Sequence, residues 1–175
     1  MTELGALAVG ALVALGGFGA LLATRIRRYT RLLSPAHFTE IAHALAERQA
    51  TLRAGVPEPV VTREGVALVY TIGPDDDGAV AHHLSLSSPS GLPWSTASTI
   101  AAYVFGLGAL PLDDAAMIDT GSPVRQARVR VAPDVAWQLV VPEPAEIPAR
   151  ISQAMVARAA LPLRRQSSES RPERG

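Results

Sequence analysis

Residues 66–88 read VALVYTIGPDDDGAVAHHLSLSS, two runs with alternating character on either side of GPDDDG. In the first run Val66, Leu68, Tyr70 and Ile72 alternate with other residues, as they do along a strand with one face turned to a core. The Gly, Pro and Asp residues between the runs are those that turns require. The stretch therefore predicts a β-hairpin with Asp75, Asp76 and Asp77 in a solvated loop. His82 and His83 are neighbours on the return strand, so their side chains point to opposite faces. His82 or His83 together with Asp75 to Asp77, or with Asp113 and Asp114, would be the parts of a hydrolase or metal-dependent enzyme. The opposed histidines argue against one compact centre, and no metal or other cofactor is expected.

Working outward, PVVT at 59–62 supplies a further strand before the hairpin, giving a three-stranded meander. Upstream, Ser34 and Pro35 suit a helix start. Phe38, Ile41, Ala42, Leu45 and Leu52 then follow at helical spacing, which predicts one amphipathic helix over 35–53. Downstream, WSTASTIAAYVFGLGAL at 94–110 predicts a core helix, within an uncharged run of 35 residues from Gly78 to Leu112. VRQARVRV and VAWQLVV, joined by APD, alternate like a second hairpin over 124–141, after an irregular PLDDAAMIDTGSP. Pro144 and Pro148 open a last helix with Ile147, Ile151 and Met155 on one face. LRRQSSESRPERG is polar and without period, so residues 162–175 are expected to be disordered.

The predicted domain, 35–161, is α+β, with elements in the order α-βββ-α-ββ-α and an antiparallel sheet. That order resembles the small chaperones of type III secretion and their relatives. The resemblance implies a dimer that binds extended protein segments.

The N-terminal end carries a different signal. From Leu4 to Ala23 there are 20 residues without a charge, the length that crosses a bilayer as a helix. Arg25, Arg27, Arg28 and Arg31 follow at once, and basic flanks stay on the cytoplasmic side. The expectation is a single transmembrane helix at 1–24 and a basic juxtamembrane segment at 25–34 facing the lipid bilayer. The protein would then sit N-out and C-in in a bacterial inner membrane, with its domain cytoplasmic.

Composition narrows function further. The 175 residues carry 16 basic and 16 acidic side chains, so no global field recruits nucleic acid. All the basic residues are arginine, and the absence of cysteine excludes disulfides, thiolate nucleophiles and Cys-based metal sites. No G-x-S-x-G elbow or phosphate loop is present. The expected function is non-enzymatic: a protein-interaction module or accessory subunit of a membrane complex, with a protein partner or a second copy. Its expected interaction face includes His83, Arg128 and Arg130.

Overall fold

The computed structural model describes residues 19–75 and 78–165. The chain divides into two compact units, 1–34 and 35–175. In the first, residues 19–32 are helical. Thr24 and Thr30 return their hydroxyl protons to the carbonyls of Ala20 and Ile26, one turn back. Leu21, Leu22 and Ile26 are exposed.

No helix among the described residues is long and apolar enough to cross a membrane. This overturns the expected transmembrane helix, and with it the inner-membrane location and N-out/C-in orientation. The described helix holds only residues 19–23 of the apolar run before Arg25, Arg27, Arg28 and Arg31 interrupt it. Residues 4–18 of the run lie outside the described residues.

The second unit is α+β with a six-stranded mixed sheet. Helix α1 spans Pro35–Glu47 and buries Phe38, Ile41, Ala42 and Leu45. The single helix expected over 35–53 breaks at Arg48 (φ −96°, ψ 8°), after which a short α2 runs Gln49–Arg53. Strands β1 (Val60–Val61), β2 (Ala67–Pro74) and β3 (Val80–Ser87) follow, then helix α3 (Trp94–Leu107). Strands β4 (Ala115–Asp119) and β5 (Arg125–Val131), helix α4 (Ile147–Ala157) and strand β6 (Leu163–Arg165) complete it.

The sheet order is β1-β2-β3-β5-β4-β6. All neighbours are antiparallel except β4 and β6, which run parallel, so the expected purely antiparallel sheet is corrected to a mixed one. Strand β6 uses residues 163–165 of the segment expected to be disordered, and residues 166–175 lie outside the description.

The second hairpin pairs β5 with β4, not with VAWQLVV. In 135–141 the alternation is present but the backbone is spent elsewhere. The amide of Leu139 donates to the Gln49 side chain and that of Val140 to the Leu107 carbonyl, so the segment lies against α2 and α3 without joining the sheet. In β4 the residues Ala115, Ala116 and Met117 are all buried, so no inside-outside alternation marks the strand.

Helix α3 forms the centre of the unit. It touches α1, α4 and β5, and Ile100, Ala101, Val104 and Phe105 have no exposed surface. A helix buried on nearly every side reads as uniformly apolar, which is why its 14 residues carry no charge. On α4, Ala154 takes the inward place that was expected of Met155, which is 37% exposed. Truncating the α3 anchor, Phe105→Ala, should cost about 3–5 kcal/mol of stability, read as a fall in the urea midpoint at unchanged m-value.

Candidate functional site

The β2–β3 register pairs Tyr70 with Leu84, Ile72 with His82 and Thr71 with His83. On the next strand, His82 opposes Val129 and His83 opposes Arg128. Leu68, Tyr70, His82, Leu84, Leu86, Ala127 and Val129 thus share the helix-covered face, where all are buried. Val69, Thr71, His83, Ser85, Gln126, Arg128 and Arg130 share the opposite face and are half-buried.

His82 is fully buried. Its Nδ1 lies 2.7 Å from the Tyr70 hydroxyl, and the edge of Trp137 closes on its ring at 5.1 Å between centroids. Its Nε2 has no hydrogen-bond partner among the described residues. Burial pushes the imidazole pKa down to about 4, and the charge of His83 adds to the effect. The ring is therefore neutral in the fold. Burial also raises the Tyr70 hydroxyl, so the pair is two neutral groups sharing one proton position. Among the described residues, the side chains against the ring are Tyr70 and Trp137 and not an acid.

Asp75 is not in a solvated loop. Its Oδ1 takes a bond from Arg128 Nη1 and its Oδ2 one from Arg130 Nε, each at 2.6 Å. The carboxylate side chain is only 4% exposed, against 15% and 28% for the two arginines. The register explains how residues more than fifty positions apart meet. Arg130 opposes Ala81, and Ala81 opposes Gly73, two residues before Asp75. The arginines cross β3 over Ala81, whose side chain is small enough to pass beneath, and Ala81 is fully buried on this otherwise half-open face. The hairpin closes with the Gly78 amide on the Asp75 carbonyl and Gly78 at φ +81°, which favours glycine. Asp76 and Asp77 lie outside the described residues.

The structure thus brings together Asp75, Arg128 and Arg130 with His83 on the same face, and separates His82 from them. Asp113 and Asp114 sit in a 3-10 turn (Leu112–Asp114), where Asp114 meets Arg164 at 3.5 Å. No group of three or more His, Asp or Glu able to hold a metal occurs among the described residues. Arg25, Arg27, Arg28 and Arg31 belong to the helical segment of the first unit.

One feature of the sheet was missed from sequence. Along β2 the backbone groups alternate in direction. Asp75 donates its amide to Ala79 on the β3 side, so Gly73, Thr71 and Val69 also face β3. Val66 accepts from the Thr62 amide on the β1 side, so Leu68, Tyr70 and Ile72 face outward. Strand β1 opposes only Ala67 and Leu68, so the outward amides and carbonyls of Tyr70 and Ile72 take no partner from it; Tyr70 is buried, helix α2 touches β2, and Ile72 is part-exposed. Arg48 holds the segment just before β1. Its guanidinium lies 3.7 Å from the Glu58 carboxylate and binds the Pro59 carbonyl. The signal available in sequence was Pro57 and Pro59, which cut β1 short.

Two outcomes follow from this geometry. Removing the Asp75 carboxylate leaves two half-buried guanidinium groups without it, so Asp75→Asn should cost about 2 kcal/mol, measured by urea unfolding. Because the folded-state pKa of His82 lies below its unfolded value, the unfolded chain binds the extra proton. Stability is therefore complete above about pH 6.5 and falls as pH drops toward 4, by at most about 3 kcal/mol. His82→Gln should flatten that slope in thermal melts across the same window. No protein-family model, no curated protein and no solved structure matches this chain.

Proposed function

We propose that residues 35–165 form a non-catalytic protein-interaction module that takes up an extended segment of another protein along the outer edge of β2. The observation that carries this reading is the outward-facing backbone of Ile72, which β1 does not reach, within the part-exposed stretch Thr71 to Gly73 of β2. That stretch reads TIG, with no charge and no proline. Exposed edges in native proteins are normally blunted by charge, proline, a bulge or a covering element. Here β1 covers Ala67 and Leu68, Tyr70 is buried, and Thr71 to Gly73 are part-exposed before Pro74.

Strand addition draws affinity from main-chain hydrogen bonds, each contributing about 0.5–1.5 kcal/mol net, and selectivity from side chains on the two faces. On the open face the added segment would run beside Thr71, with His83 in the next row. Arg128 and Arg130 reach across β3 to the end of β2. Their guanidinium groups would then lie about one strand spacing, roughly 4.8 Å, from the added segment. The interaction face expected from sequence thereby becomes the wall beside the edge.

The test is selection of displayed random peptides on the full chain, followed by calorimetry on those enriched. Ile72→Pro removes an outward donor without touching the β2–β3 ladder. It should weaken binding at least about tenfold, the cost of one to two hydrogen bonds, while the far-ultraviolet circular dichroism stays unchanged. No enriched peptide, or peptides that bind the Ile72→Pro chain equally well, would overturn the proposal. Concentration-dependent dimerisation abolished by Ile72→Pro would replace it with pairing of two copies through the same edge.

A further inference from the structure

On the far side of α3 from the sheet, a cleft of about 150 Å³ opens between α3 and α4. Its walls are apolar, with Ala102, Leu107, Leu112 and Ala154 among the lining side chains. Three polar side chains interrupt them: Tyr103, Arg150 and the exposed Gln153. Tyr103 is 3% exposed, and its hydroxyl is buried with no hydrogen-bond partner among the described residues. Arg150 lines the same cleft from α4, exposed at its head. Among the described residues its side chain makes no ion pair or hydrogen bond, and its charge acts on the Tyr103 hydroxyl.

A buried hydroxyl without a partner is destabilising, and an unpaired guanidinium beside it is a ready donor to a planar carboxylate. An apolar cavity of about 150 Å³ holds one benzene ring. The walls are held in place from both ends. The Tyr103 ring packs edge-on against Phe38 of α1 at 4.6 Å. Arg158, just past α4, donates to the Ser95 carbonyl and the Thr99 hydroxyl on α3.

We infer that this cleft is a binding site for a small monocarboxylate with a compact apolar body of about benzoate size. The carboxylate meets Arg150 and the Tyr103 hydroxyl, and the body fills the space between Ala102, Leu107, Leu112 and Ala154. The site is independent of the β2 edge, because Tyr103 and Arg150 stand on helices α3 and α4 and none of the lining residues belongs to the sheet.

Titration of sodium benzoate, and separately of its neutral analogue benzamide, into the isotope-labelled full chain tests this by amide chemical shifts. Benzoate should shift residues around Ala102, Gly106 and Ala154 and bind about tenfold more tightly than benzamide, the contribution of one charge-assisted contact. Arg150→Gln, at an exposed position, should erase that preference. Tyr103→Phe should weaken benzoate while leaving the unliganded chain at least as stable, since it removes an unsatisfied hydroxyl. Equal binding of the two compounds, a preference that survives Arg150→Gln, shifts centred elsewhere, or no shift at benzoate saturation would each overturn the inference.

Discussion

The alternation of side chains along β3 assigns every residue of the sheet to one of two environments, and the rest of the unit is arranged around that assignment. Strand β3 is held on both sides, by β2 and by β5, so a slip of one residue would exchange His82 with His83 and Leu84 with Ser85. His82 inside costs an unpaired Nε2, and it is accommodated by remaining neutral against Tyr70 and Trp137. On the outside, Ala81 lies directly opposite Arg130. The Asp75 carboxylate then ties the end of β2 to β5, past the strand that separates them, and so fixes three strands with one side chain.

Much of this was legible in the sequence because it is local. The β2–β3 hairpin, the turn at GPDDDG, the opposition of His82 and His83, and the inward stripe of α1 all follow from spacing over fewer than ten residues. What escaped is non-local. Asp75 sits among turn residues, and nothing near it announces that Arg128 and Arg130 will arrive from a strand two places away in the sheet. VAWQLVV has the period of a strand, yet its amides are satisfied by Gln49 and Leu107, partners that periodicity does not contain. Strand β4 has the opposite problem, since Ala115 and Ala116 are buried on both faces and show no period.

The membrane reading failed for a related reason. Hydropathy summed over Leu4–Ala23 is a property of composition, and it was joined to Arg25, Arg27, Arg28 and Arg31 to give an orientation. Residues 19–32 are helical and carry those arginines, and no helix among the described residues is long and apolar enough to cross a bilayer. The candidate edge and the candidate cleft were illegible for the reason that hid the Asp75 clamp. Each exists only where chain segments end or part, at Val60 on β1 and between α3 and α4.

The parallel pairing of β6 with β4 has a bearing on how the chain is made. Met117 pairs with Leu163 and donates its amide to the Pro162 carbonyl, so the outer side of β4 has no protein partner until all of α4 and the turn after it have left the ribosome. At ordinary synthesis rates of about 5–20 residues per second, that interval lasts seconds, longer than hairpin formation, which takes microseconds. A nascent chain with β2 to β5 already paired would thus carry an uncovered strand at the β4 margin of its sheet. That margin is sealed only when β6 arrives, so its exposure is confined to the period of synthesis.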